Sequence, residues 1–213
     1  MAKRKVQPKS RGEGGSAANL LDKLKSAEAA AVLKRLVTEH PELRAEAEAM
    51  ARSTLGEASF LSVADEVEST ILTLDYDDLN ARAGRHSWGY VEPSEAAGEL
   101  LEEAVEPFIA DMKRRLEMGL EEEAREICKG ILLGLYRVRD GGGSDIVGWA
   151  PDFPAETAGC VLEDWTGGDK KKKNTGPASQ ARRGAAITRE FVDEHLPEWE
   201  WIAERTQARG TQS

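Results

Sequence analysis

The feature that most constrains the fold is a run of apolar residues at helical spacing across residues 20–135. Side chains three and four positions apart lie on one face of an α-helix. The longest apolar stripe covers residues 97–116, and a second covers residues 120–135. Since only residues 117–119 separate the two stripes, and Gly119 can turn the chain, we predict two long helices that form an antiparallel hairpin.

Shorter stripes of the same kind come before this hairpin. The apolar spacing within Leu20–Val37 predicts two helices, of which the second begins at Ser26. Pro41 suits the first turn of a third helix, which runs towards Ser53. A fourth helix is predicted over Ser62–Leu74. Pro107 lies inside the longest stripe, where a proline removes one backbone hydrogen bond and is expected to kink or split the helix.

The predicted fold class is all-α, with antiparallel helical hairpins stacked as a bundle or as a short solenoid. Outside the helical stripes no four-residue stretch alternates cleanly between apolar and polar residues, so no strand is predicted. The segment Arg82–Tyr90 contains two glycines among charged and aromatic residues, and we interpret it as a loop.

Composition divides the chain of 213 residues into four predicted segments. Residues 1–16 are a disordered basic arm, 17–165 form the helical domain, 166–180 are a linker rich in lysine and glycine, and 181–213 hold a terminal amphipathic helix and tail. This helix is expected to bend or break at Pro197. Whether its apolar side packs on its own domain or in the groove of a partner is left open.

Charge is distributed in blocks of opposite sign within a net charge of −10. Residues 39–126 contain 23 acidic and 8 basic residues, whereas 1–11 and 170–189 contain five and seven basic residues and no acidic ones. An acidic body repels phosphate, so nucleic acid would bind on the basic segments, with a steep dependence on salt. The candidate contacts are Lys3, Arg4, Lys5, Lys170, Lys171, Lys172, Lys173, Arg182 and Arg183. The alternative is that these segments are solvated tails.

The cellular environment is inferred from the apolar content and the cysteines. No apolar run approaches the roughly 18 residues of a membrane-spanning helix, and the basic start lacks the apolar stretch of a secretory signal. Two cysteines, Cys128 and Cys160, are too few for a disulfide framework. We therefore expect a cytoplasmic protein with no membrane contact.

Residue types that carry chemistry are scattered along the sequence. The three histidines are far apart, and Cys128 falls on an apolar stripe, where burial is the expected state. The aspartates of 75–78 and 140–145 do not match a calcium loop, and capping of helices is the expected use. The glycines of 141–143 lack the following Gly-Lys-Ser/Thr of a phosphate loop. No cofactor, metal site or catalytic residue is predicted.

Two segments rich in aromatic and cationic residues are the candidate partner-binding sites. Tryptophan, tyrosine and arginine dominate many binding interfaces because they bury large areas at modest entropic cost. The alternative is that the rings fold back as lids on the helix ends. The candidate residues are Arg82, Arg85, His86, Trp88 and Tyr90 in the first segment, and Trp149 and Phe153 in the second.

Three local segments, Thr38–Leu43, Ala64–Ser69 and Gly119–Arg125, resemble the helical region of bacterial SWIM-type zinc-finger proteins. More loosely, they resemble tetratricopeptide-like helical repeats. The resemblance covers about residues 20–138 and implies a scaffold. The zinc motif of the SWIM family, a Cys-x-Cys pair followed by a Cys-x-His pair, is missing from the sequence, so zinc binding is not implied.

Three functions are compatible with these features. The first is a non-enzymatic α-helical module that binds another protein through the aromatic segments. The second is an accessory protein tethered to nucleic acid by its basic segments. The third is an enzyme whose site is not recognisable from sequence, for which Asp75, His86 and Cys128 are the candidate residues.

Overall fold

A computed structural model describes residues 20–56, 58–87, 89–140, 144–167 and 187–208 of the chain. The chain divides into two compact units, Met1–Gly56 and Glu57–Ser213. The predicted basic arm 1–16, and all of the predicted linker after Gly167, lie outside the described residues. The all-α fold class is confirmed, since packed helices dominate the described chain.

The first unit contains two helices in its described part. They are α1, Ser26–Glu39, and α2, Arg44–Leu55, and a 3-10 turn, Pro41–Leu43, connects them. Another 3-10 turn, Leu20–Lys23, precedes α1. These helices form where the sequence predicts them, and Pro41 begins the new helical segment as expected.

The apolar stripes of this first unit are not buried. Neither α1 nor α2 contains a buried residue. The best covered apolar residues are only half-buried, and they are Leu24, Val37, Leu43, Ala47 and Leu55. Helical periodicity therefore predicted these helices correctly, but the expectation that they contribute to a packed interior is wrong for the described part of this unit.

The second unit is built around one central helix. This helix, α6, Glu121–Val138, packs against α3, Phe60–Leu72, against α5, Pro93–Glu117, and against α7, Phe153–Thr166. The predicted antiparallel hairpin of α5 and α6 is confirmed. Gly119 turns the chain between them with φ 75°, a left-handed conformation that glycine adopts without strain.

Helices α3 and α6 approach each other closely because α6 presents two glycines to α3. A Cβ atom added to Gly130 would lie 2.5 Å from the Cβ of Val63, and one added to Gly134 would lie 2.7 Å from the Cβ of Val67. Only hydrogen at these two positions lets the valines pack directly on the backbone of α6.

Helix α5 continues through Pro107 as a single element of 25 residues. Of the two expected outcomes, a kink or a split, the split does not occur. Both Pro107 and Glu103 are exposed. The carbonyl of Glu103, which loses its partner at position 107, is therefore on the solvent side, where water can hydrogen-bond to it.

A short β-hairpin lies between α4, Tyr76–Arg82, and α5. Its strands are β1, Gly84–His86, and β2, Gly89–Val91, which pair antiparallel. The interpretation of this segment as a strandless loop is wrong. Strands of three residues are too short to show alternation over four positions, so the pattern used to find strands could not detect them.

The C-terminal segment packs on the second unit itself. It forms α8, Arg189–His195, and α9, Glu200–Ala208, and the chain breaks around Pro197 as expected. Its buried apolar residues are Ile187, Phe191, Val192, Leu196, Trp199, Ile202 and Ala203. The question left open by the sequence is therefore answered: this segment completes the core of its own chain.

Specific ring contacts hold this C-terminal segment in place. Phe191 contacts Phe60 of α3 edge to face at 5.7 Å between ring centroids, and Trp199 contacts Tyr136 of α6 in the same way at 5.4 Å.

Among the described helices, none combines the length and the apolar character needed to cross a membrane.

Candidate interaction surface

Helix α4 places the hairpin, and its own start is fixed by a capping box. The carboxylate of Asp75 accepts hydrogen bonds from the backbone N–H of Asp77 and of Asp78, at 2.8 and 3.0 Å. Asp78 accepts one in return from the backbone N–H of Asp75 at 3.1 Å. The prediction that these aspartates cap a helix is confirmed.

The base of the hairpin is tied to α5 by an arginine. The Nη1 of Arg82 donates to Glu103 Oε1 at 2.9 Å, its Nη2 donates to Oε2 of the same carboxylate, and Glu99 lies 3.8 Å away. This bidentate hydrogen bond raises the pKa of Arg82 and lowers the pKa of Glu103. Arg82 therefore positions the hairpin on α5.

A second contact closes the hairpin onto the end of α4. The Nε2 atom of His86 lies 2.6 Å from the backbone carbonyl oxygen of Arg82. A carbonyl only accepts, so Nε2 carries the proton and donates it in this bond. His86 is half-buried and serves the internal structure of the hairpin.

The outward face of the hairpin carries a cation and an aromatic ring. Arg85 of β1 stands directly opposite Tyr90 of β2 in the strand register, and both are exposed, Tyr90 by 61%. Residues directly opposite each other in an antiparallel pair share one face and lie within side-chain reach. Trp88, the remaining candidate in this segment, lies outside the described residues.

The second aromatic segment divides into one exposed and one buried ring. Trp149 ends the 3-10 turn Val147–Trp149 and is 45% exposed, whereas Phe153 begins α7 and is buried in the core. The hydroxyl of Ser144 accepts a hydrogen bond from the backbone N–H of Val147 at 3.4 Å. The structure thus places Arg85, His86 and Tyr90 in the hairpin, with Arg82 at the adjoining end of α4, and places the second segment on other elements.

The candidate catalytic residues occupy three different settings. Asp75 caps α4, His86 belongs to the hairpin, and Cys128 is wholly buried in α6, where desolvation raises the pKa of its thiol. A protonated, enclosed thiol has no access to a substrate. Within the described ranges, no three histidine, cysteine or carboxylate side chains converge in a way that could hold a metal ion.

Cys160 lies in a different setting from Cys128. It is exposed. It lines a groove of about 410 Å³ between α5 and α7, together with Glu102, Glu106 and an ion pair of Lys113 with Asp164 at 2.8 Å. Its position in the sequence gives no sign of this exposure, because the neighbouring residues Val161 and Leu162 are apolar and buried.

The nine candidate nucleic-acid contacts all lie outside the described residues. These are Lys3, Arg4, Lys5, Lys170, Lys171, Lys172, Lys173, Arg182 and Arg183. Their role therefore stays a prediction from the sequence.

Comparison with known proteins adds no relationship to this picture. No family model, curated protein or solved structure matches the chain. The resemblance to SWIM-type and tetratricopeptide-like helical regions accordingly stays a prediction.

Proposed function

We propose that this protein is a non-enzymatic α-helical module that binds another protein through the hairpin of residues 84–91. The observation that carries this proposal is the exposed cross-strand pair of Arg85 and Tyr90 on a hairpin tied to α5 at its base. Tyrosine and arginine are among the residue types most enriched where binding energy concentrates.

The fixed base of the hairpin favours binding. A loop that is ordered before it meets its partner loses less conformational entropy on binding than one that orders afterwards. Arg82 and His86 provide this order, since one holds the hairpin to Glu103 and the other closes it on the end of α4. The pair of Arg85 and Tyr90 suits a partner surface on which a carboxylate borders an apolar patch.

A pull-down from native extract with the full chain as bait tests the proposal. The double substitution Arg85→Ala with Tyr90→Ala is expected to lose proteins that the wild type retains. Tyr76→Ala, which removes another exposed tyrosine from the neighbouring helix α4, is the matched control and is expected to retain them. If the double variant and the control retain the same proteins as the wild type, the hairpin is not the binding surface.

Binding to nucleic acid is the second candidate, and the distribution of charge favours it. The basic segments 1–11 and 170–189 carry no acidic residue, beside a body in which acidic residues outnumber basic ones. Phosphate contacts release counterions, so binding should weaken steeply as salt rises. A titration of the full chain against single- and double-stranded DNA and RNA tests this, and absence of binding even at low ionic strength would exclude it.

A further inference from the structure

Helix α1 carries an apolar stripe that no other described residue of its unit buries. Val32, Leu33 and Leu36 are 46%, 54% and 43% exposed, and neither α1 nor α2 contains a buried residue. Helices of about 12–15 residues are marginal in water unless tertiary packing supports them. A helix of 14 residues with an open stripe therefore gains stability from any surface that covers it.

Charged residues border this stripe on one edge. This edge consists of residues spaced by four, three and four positions, which are Glu28, Val32, Arg35 and Glu39. This spacing places the three charged side chains on the same edge of the helix as Val32. Arg35 donates to Glu39 at 2.7 Å, but both side chains are more than half exposed, so this ion pair adds little stability and can exchange partners. Lys34 lies on the other side of the helix, away from this edge.

We propose that this stripe packs against the same stripe of a second copy of this chain. In this pair the two α1 helices run antiparallel. In an antiparallel pair the same edge of each helix meets its counterpart, as in coiled coils. Glu28 of one copy then opposes Arg35 of the other, and the two-fold symmetry repeats the contact. The apolar residues at the centre of the pair are Ala29, Val32, Leu33 and Leu36.

The distribution of net charge supports pairing through this unit. Residues 20–56 contain six acidic and six basic residues, so two copies do not repel each other here. Residues 57–140 contain 20 acidic and nine basic residues, and contact between two such surfaces would be unfavourable. The stripe thus lies in a part of the described chain that is electrically neutral.

The size of the stripe makes the pairing weak. A helix of 14 residues spans about 21 Å, and one pair of such helices buries less than the roughly 1,600 Å² of a standard protein interface. We therefore expect a reversible dimer whose population rises with protein concentration. The stripe and the hairpin consist of different residues, so different variants test self-association and partner binding.

Sedimentation equilibrium of the full chain over a wide concentration range tests the existence of the dimer. The wild type is expected to pass from monomer to dimer as concentration rises, and Leu36→Glu is expected to stay monomeric. Circular dichroism at the same concentrations should show helix content rising with dimerisation of the wild type. A wild type that remains monomeric at the highest concentration would overturn the proposal.

Exchange of charges tests the antiparallel arrangement. Arg35→Glu places two like charges opposite each other and should weaken dimerisation by about tenfold or more. Lys34→Glu changes the net charge equally but lies away from this edge, so it should leave the dimer unchanged. Combining Glu28→Arg with Arg35→Glu should strengthen dimerisation relative to Arg35→Glu alone.

Two results would contradict this arrangement. One is an equal effect of Arg35→Glu and Lys34→Glu, which would mean that net charge alone matters. The other is no recovery in the doubly exchanged variant, which would remove the pairing of Glu28 with Arg35. Because Glu28 also accepts a hydrogen bond from the backbone N–H of Lys25 at 2.9 Å, it is exchanged only in the combined variant.

Discussion

Helices α1 and α6 show the same apolar spacing in sequence and differ completely in burial. In α6, Ile131, Leu132 and Leu135 have no exposed surface, whereas Val32 and Leu33 of α1 are about half exposed. Apolar periodicity reports which face of a helix is apolar. Burial depends on whether other elements supply surfaces that fit that face, and this comparison separates the two properties.

The difference lies in the neighbours. Helix α6 is covered by α3, α5 and α7, and its two glycines allow α3 to pack directly on its backbone. Helix α1 contacts the short 3-10 turn Pro41–Leu43 and has no comparable cover among the described residues of its own unit. Several matched substitutions test this contrast.

The largest expected effect comes from truncating the same residue type in the two helices. Leu135→Ala should lower the free energy of unfolding by about 2–5 kcal/mol, because it removes buried contacts and leaves a cavity. Leu33→Ala should change the free energy of unfolding by about 0.5 kcal/mol or less, since Leu33 is 54% exposed. Chemical denaturation of dilute protein, followed by circular dichroism, measures both. Similar losses in the two variants would contradict the assignment of the core.

The next effect tests the contact of α3 with α6. Gly130→Ala should destabilise the protein by about 1–3 kcal/mol, because its Cβ would meet Val63 and the backbone oxygen of Phe60 at 2.8 Å or less. Gly98→Ala in α5 is the control. Apart from its chain neighbours and the backbone of its own helix, no atom lies within 4 Å of its added Cβ, so the higher helix propensity of alanine should stabilise the protein by about 0.5–1 kcal/mol. Thermal unfolding of both variants gives the signs, and a stabilising Gly130→Ala would refute the close approach.

A smaller effect tests the start of α4, which positions the hairpin. Asp75→Ala removes the capping side chain and should cost about 1 kcal/mol of stability. Asp77→Ala alters the same turn, where only the backbone of Asp77 takes part in the cap, and should cost less. Equal losses in urea denaturation would show that the charge of this turn, and not the cap, is what matters.

The smallest effect concerns the ion pair at the base of the hairpin. Arg82 lowers the pKa of Glu103, so the stabilisation is present above the ordinary pKa of a glutamate and is lost as pH falls through the lowered value. Arg82→Gln should return the Glu103 pKa towards its usual range. A titration of the side-chain carboxyl signals by NMR measures the shift, and an unchanged Glu103 pKa would contradict the contact.

The sequence contained enough information to predict the helices and the α5–α6 hairpin, because apolar periodicity and Gly119 are local signals. It also indicated the break at Pro197 and the capping aspartates of α4. It gave no sign of the β-hairpin, whose strands have only three residues each. The contact of Arg82 with Glu103 beside this hairpin joins residues that are far apart in sequence, so no local pattern indicates it.

The burial of individual side chains was less predictable than the positions of the helices. Cys128 and Cys160 both belong to helices, but only Cys128 is buried. Cys128 lies in α6, which has neighbours on several sides, whereas Cys160 of α7 faces an open groove. Likewise, Trp149 and Phe153 are four residues apart and only Phe153 enters the core. Such differences arise from tertiary contacts between distant segments, which a single sequence does not specify.

Hydrogen exchange of backbone amides tests the contrast between the two units most directly. In protein diluted below the range of self-association, the amides of Ile131–Leu135 should exchange only through global unfolding. The amides of Val32–Leu36 should exchange many times faster through local opening of α1. Protection of α1 equal to that of α6 under these conditions would contradict the account, because it would show that the stripe is covered within a single copy of the chain.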